Sequence, residues 1–181
     1  MLFKYFLIYI VVFFGIFVGT FLLLTLIENW RRIKNPMPMR FPSVSIIIPA
    51  YNEESNIAKT ISSAARMNYP KDKLEILVVD DGSKDKTLEV AKTAARSCHS
   101  KYGIKVKVFT KKNGGKATAI NFGIKHVKGE IIGTLDADSF PEKDALMKMI
   151  GYLENDKVAS VTSSLKAVSY THLTLPTIYS V

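Results

Sequence analysis

Apolar residues fill the first thirty positions almost without interruption; beyond them they come in short runs separated by amphipathic and polar stretches. From Tyr5 to Ile27 no side chain is charged, a run of about 23 residues, which as a helix is roughly 35 Å long and spans a bilayer core. A cleavable signal peptide has a shorter apolar region and a small-x-small cleavage site. A helix apolar all round also finds no room inside a domain this small. The run ends at Glu28-Asn29-Trp30-Arg31-Arg32. Trp30 suits the membrane interface, and Arg31, Arg32 and Lys34 mark the cytoplasmic side. The expectation is a single anchor over residues 1–30 in the plasma membrane, with the rest of the chain in the cytosol. Gly15 and Gly19 fit a helix-packing face or ordinary membrane glycines equally well. Pro36, Pro38 and Pro42 stiffen a linker over residues 31–42.

From Ser43 the pattern alternates between strand-like runs and helical periodicity. Strands are predicted at Val44–Pro49, Leu74–Val79, Val106–Phe109, Glu130–Leu135 and Val158–Thr162. Helices are predicted at Ser55–Met67, Lys86–Ser97, Lys116–His126 and Pro141–Glu154, the last opened by Pro141 at its first turn. Near-continuous apolar strands in a β/α alternation predict an α/β domain over residues 43–167, with a mostly parallel, Rossmann-like sheet covered by helices on both faces. Ligands of such sheets bind beyond the carboxyl ends of the strands. Three polar strings fall there: Tyr51-Asn52-Glu53, Asp80-Asp81-Gly82-Ser83 and Asp136-Ala137-Asp138.

Composition changes this picture little. The net charge is +9, and residues 1–40 hold five cations (Lys4, Arg31, Arg32, Lys34, Arg40) against Glu28 alone. No basic block is interleaved with aromatics, which counts against nucleic acid. A mildly basic surface suits an anionic small molecule or membrane lipid. The one cysteine, Cys98, excludes an internal disulfide and a cysteine-based zinc site; it is expected to pack as a small hydrophobe on a helix. His99, His126 and His172 lack ligand spacing and are expected at the surface.

The chemistry lies in the acidic strand ends. Two carboxylates at i and i+2 on an extended chain point the same way. Asp136 and Asp138 would thus supply oxygens to one side of Mg2+ or Mn2+, leaving the other positions to substrate phosphates. Such a metal offsets diphosphate charge and improves the leaving group. By themselves, Asp-x-Asp triplets equally serve caps and turns. Asp80-Asp81 exceeds what one helix cap requires, so at least one of the pair is expected to accept a hydrogen bond from a base or ribose. Asn113-Gly114-Gly115-Lys116 opens a helix, where backbone amides and a lysine suit an anion. The spacing is not that of a P-loop, and no Gly-x-Gly-x-x-Gly follows the first strand, which excludes a Rossmann dinucleotide site.

Four strings in order, Val44–Glu53, Val78–Ser83, Gly114–Asn121 and Asp136–Asp138, together resemble the family 2 glycosyltransferases over about residues 43–165. The resemblance implies a GT-A fold, a UDP-sugar donor and a hexosyl transfer with inversion. It places Ala50, Tyr51 and Glu53 in the nucleotide pocket, Asp80 or Asp81 on the uracil and Lys116 near the donor. It also places Asp136 on the sugar or ribose side and as a metal ligand, with Asp138 the principal metal ligand. The Gly-Gly-Lys-Ala and Asp-Ala-Asp-Ser strings are most similar to membrane-bound polysaccharide synthases, so a glycan or polyprenyl-phosphate acceptor is expected. A non-catalytic nucleotide-binding membrane protein is the alternative. The later acidic base and Gln-x-x-Arg-Trp motif of the family have no counterpart in these residues, and residues 168–181 fit no family pattern. The sequence is therefore expected to be a truncated donor-binding half, inactive alone, with a foreign tail.

Overall fold

The computed structural model describes residues 2–29 and 36–163. The expectations for Trp30, Arg31, Arg32, Lys34, His172 and residues 168–181 fall outside them. Helix α1 (Leu2–Asn29) extends a turn beyond the uncharged run at its start and takes in Lys4 and Glu28. It is long and apolar enough to cross a membrane, and its apolar side chains are exposed all round.

Strand β1 (Val44–Ala50) is the centre of the domain. Its Ile46-Ile47-Ile48 core is buried on both sides, which only a strand inside a covered sheet achieves. β2 (Leu74–Asp80) and β4 (Ile131–Thr134) flank it, and β3 (Lys105–Thr110) pairs outside β2, giving the order β3-β2-β1-β4 with every pairing parallel. The register sets Ala50 opposite Asp80 and Asp80 opposite Thr110, so these strands release their loops at one level.

Each strand hands alternate side chains to opposite faces. Ile46, Ile48, Ile76 and Val78 meet α2 (Ile57–Ala65), α3 (Thr87–Tyr102) and α5 (Ala145–Leu153) through Ile57, Ile61, Ala91, Leu146 and Ile150. Ile47 and Val79 meet α4 (Lys116–Ile124) through Ala119 and Phe122. α4 lies close on β1 because of Gly123: a Cβ there would stand 2.7 Å from the Ile47 side chain. Cys98 is buried in the first of these cores, and its burial pushes the thiol pKa up.

Two expectations fail. Val158–Thr162 forms no strand; these residues are half-buried or exposed, and among the described residues the sheet ends at β4. Pro141 does not open a helix. The Asn68 amide donates to Lys143 O at 2.8 Å, the Ala145 amide turns back to Glu142 O, and α5 begins only after Asp144.

The amino ends of the strands carry a second set of polar contacts. Glu75 accepts from Ser45 Oγ (2.6 Å), Lys107 Nζ (3.1 Å) and the Lys128 amide (2.8 Å). Burial of Glu75 works to raise its pKa, but these donors outweigh it and hold the carboxyl below its ordinary value. Residues 36–42 form a strap beneath the sheet. Arg40 makes a forked pair with Glu130, the Met39 and Arg40 amides donate to Glu154, and Lys73 Nζ donates to Phe41 O. The buried Tyr69 hydroxyl donates to Pro42 O at 2.6 Å, and burial pushes its pKa up to about 12.

Candidate functional site

A cleft of about 490 Å³ opens at the carboxyl ends of the strands. It is lined by Ala50, Tyr51 and Glu53 from the β1–α2 loop, Asp81 from the β2–α3 loop, Asn113, Gly115 and Lys116 from the β3–α4 connection, and Asp136 to Asp138 after β4. Asp80 is not among these residues.

The first two loops are laced together. The Asn52 amide donates to Ser83 Oγ, the Lys84 amide to Asn52 Oδ1, the Glu53 amide to Thr87 Oγ1 and the Lys86 amide to Glu54. Asn52 adopts φ 54°, a left-handed conformation that asparagine tolerates better than most residues. This turn leaves Tyr51 43 % exposed on the cleft.

The adjacent aspartates part company. Both are buried. Asp80 faces inward, accepting from Thr110 Oγ1 at 2.8 Å and from the Ser83 amide at 3.3 Å. Asp81 faces the third loop. It accepts from Lys111 Nζ at 2.5 Å, from the Gly115 amide at 2.6 Å and, forked over both oxygens, from the Gly114 amide at 3.2 Å. Burial works to raise its pKa, but the hydrogen bonds and the charge of Lys111 prevail and hold the carboxyl below its ordinary range. The glycine amides expected to receive an external anion therefore already hold one of the protein's own. Gly82, with φ +69°, lets the two loops meet backbone to backbone, since a Cβ there would stand 2.9 Å from the Asn113 nitrogen.

Asp136-Ala137-Asp138 is not extended. The Ser139 amide donates to Asp136 O at 3.0 Å, closing a β-turn, and the buried Thr60 hydroxyl holds Ala137 O at 2.6 Å. With Ala137 pinned inward, both aspartates still project into the cleft. Asp136 pairs with Lys116 at 2.6 Å, the two side chains 52 % and 61 % exposed. Among the described residues Asp138 accepts one hydrogen bond, from the Ser139 hydroxyl at 3.4 Å. Among the described residues no cluster of three or more His, Cys, Asp or Glu side chains forms. Two accessible carboxylates nonetheless fit a hard divalent cation, whose other positions phosphate oxygens and water would fill.

Three residues central to this geometry escape a reading of the sequence. Lys111 uses its three N–H groups on Asp81, Lys112 O and Thr118 Oγ1, joining β3 to α4. A lysine just past a strand gives no warning of that role. Thr60 and Thr87 are fully buried and tie helices to the cleft loops, but their sequence positions look like ordinary helix residues.

The sequence pattern of glycosyl transferase family 2 matches residues 45–175, which includes part of the segment expected to fit no family pattern. The probable glycosyltransferase YdaM of Bacillus subtilis is 33 % identical over 147 residues, covering 79 % of this chain and 33 % of that protein. Mannosyltransferase PcManGT from Pyrobaculum calidifontis, solved with GDP-Man and Mn2+, aligns with TM-score 0.63 at 31 % identity, over 75 % of this chain and 41 % of that one. S. aureus TarS 1–349 in complex with UDP-GlcNAc aligns with TM-score 0.51 at 31 % identity, over 57 % and 29 %. The chain spans about a third of the length of the first curated relatives it matches.

Proposed function

Because the chain belongs to glycosyl transferase family 2, we propose that its cleft binds a UDP-sugar, and that the whole protein transfers the sugar with inversion to a glycan or polyprenyl-phosphate acceptor at the plasma membrane. The observation that carries this reading is the meeting of Tyr51, Asp81, Lys116, Asp136 and Asp138 around one cleft at the carboxyl ends of a parallel sheet. The TarS complex with UDP-GlcNAc supports a UDP-sugar donor; the PcManGT complex, with GDP-Man and Mn2+, supports a nucleotide-sugar site that uses a divalent metal.

In this reading the Tyr51 ring stacks on the base. Asp81 accepts from the edge of the base where the forked Gly114 amide yields a lone pair, while Lys111 and Gly115 keep the carboxylate ionised and aimed. Asp138 and Asp136 would hold Mg2+ or Mn2+, which would offset the charge of a diphosphate leaving group. Lys116 then leaves Asp136 for the phosphates, a short move for an exposed side chain. The acidic base that would take the acceptor proton has no counterpart in residues 1–181, so these residues alone are expected to bind donor and to transfer little sugar.

Titration of the full chain with UDP, with and without Mn2+, tests the proposal. Binding should require the metal and fall at least tenfold in Asp138→Ala. Equal UDP affinity with and without metal, or in the variant, would refute the assignment of Asp138.

A further inference from the structure

A second cavity, of about 420 Å³, lies at the other end of the sheet. Arg66, Met67, Asn68, Tyr69, Lys71 and Lys143 line it beside Tyr102, giving three cations, two tyrosines and no carboxylate. It faces the amino ends of the strands, since Tyr69 and Lys71 precede β2 and Tyr102 precedes β3. β2 has seven residues, so about 20 Å of strand separates this cavity from the nucleotide cleft.

Its charge is not spent within the domain. Lys71 Nζ donates to Ala65 O and Met67 O, which caps the negative end of α2 and leaves one N–H. The Arg66 Nε donates to Ser62 O at 3.3 Å, which leaves its two terminal nitrogens. Among the described residues neither Arg66 nor Lys143 forms an ion pair. Lys101 adds a fourth cation at the rim, 5.4 Å from the centre of the Tyr102 ring. The nearby Asp144 carboxylate accepts from the Asn68 side-chain amide. A fork from Arg66, a point charge from Lys143 and tyrosine walls suit a phosphate ester better than a bare ion.

The source of that phosphate follows from the strap. The cavity's own Tyr69 donates to Pro42 O and stacks edge-on against Phe41. From Asn29, the end of the apolar helix, to Pro36 is seven residues, at most about 25 Å of chain whatever its path. On the strap itself the apolar side chains of Met37 and Met39 are 83 % and 93 % exposed among the described residues. A bilayer surface within reach of α1 would meet both the methionines and the cationic cavity.

We propose that this cavity binds the phosphate headgroup of an anionic membrane phospholipid and so tethers the domain to the bilayer at a second point besides α1. The proposal rests on α1 being a membrane anchor, and not on the assignment of the nucleotide cleft.

The test uses the full chain in dodecyl maltoside micelles, titrated calorimetrically with dihexanoyl phosphatidylglycerol, dihexanoyl phosphatidylcholine and inorganic phosphate in turn. Phosphatidylglycerol should bind at one per chain. The double variant Arg66→Gln/Lys143→Gln should weaken it at least tenfold, and Arg66→Lys/Lys143→Arg should restore most of that loss. Phosphatidylcholine should give no saturable heat. Equal binding of the two lipids, or an unaffected double variant, would overturn the proposal. Inorganic phosphate binding as tightly as phosphatidylglycerol would overturn the lipid as its source. Both residues lie at the surface, and UDP binding with Mn2+ in the double variant should match the unaltered chain, which separates this site from the cleft. Resistance of the chain to carbonate extraction from membranes tests the anchor independently.

Discussion

Asp80 and Asp81 are neighbours in sequence, equally buried and chemically identical, yet the structure predicts unequal costs for their replacement by asparagine. Asp81 shares its carboxylate among an ammonium group and two backbone amides, its side chain 4 % exposed and that of Lys111 19 % exposed. Asparagine there must turn its NH2 either toward the Gly115 amide or toward Lys111, donor against donor in both cases. Removing one partner of a buried pair costs about 3–5 kcal/mol. The low end, about 3 kcal/mol, applies because Lys111 retains Lys112 O and Thr118 Oγ1. Asp80 meets only neutral donors, and the Thr110 hydroxyl can reverse and accept from the new amide, so its loss is about 1 kcal/mol. At about 3–4 °C per kcal/mol for a domain of this size, Asp81→Asn lowers Tm by roughly 10 °C and Asp80→Asn by about 4 °C. Thermal unfolding of the full chain in dodecyl maltoside, followed by near-ultraviolet circular dichroism, reads both. Equal losses, or less than about 1 kcal/mol for Asp81→Asn, would refute the account. The pH dependence has a definite sign. Because the folded Asp81 pKa is depressed, its contribution is present above the ordinary carboxylate value of about 3.9 and is lost as pH falls below it. Asp81→Asn should therefore lose less stability than the unaltered chain between pH 5 and pH 3.

Gly82→Ala places a Cβ 2.9 Å from the Asn113 nitrogen at a positive φ; about 2 kcal/mol of stability should be lost, measurable as a fall in the urea midpoint. Lys116→Gln removes an ion pair whose members are both more than half exposed, so stability should shift by less than about 0.5 kcal/mol while UDP affinity falls several-fold in titration. Tyr69→Phe deletes one buried hydrogen bond and should cost about 1 kcal/mol near neutral pH. Since the folded Tyr69 pKa is raised to about 12, its stabilisation persists below the ordinary value of about 10 and is lost as pH rises from there toward 12, so the two chains should converge in alkali.

β1 and β2 were legible because each is an apolar run too short for a helix, bounded by turn residues, and buried almost along its length; the half-buried β3 and β4 were legible from short β-branched runs between turn residues. Val158–Thr162 has a similar pattern without the result, because a strand needs a neighbour and pattern cannot supply one. The cleft residues were legible as strings at strand ends. Their division of labour was not. Nothing in Asp80-Asp81 reveals which carboxylate turns toward Gly115, since that depends on a lysine thirty residues later. The acidic triplet was expected to be straight; Thr60, 77 residues earlier, holds the middle residue inward and completes the turn. The strap's prolines predict only a stiff linker, because its partners Tyr69, Glu130 and Glu154 are far along the chain.

That strap also decides how the domain carries a load. It leads straight into β1, an inner strand of the order β3-β2-β1-β4, paired along seven residues with β2 and four with β4. Tension arriving from the amino-terminal helix runs along the axis of β1, and so it shears both ladders at once instead of peeling one bond after another. A tug on the tether must break the strap's own bonds to Glu130, Glu154 and Tyr69, and then shear the β1 ladders, before it disturbs the cleft.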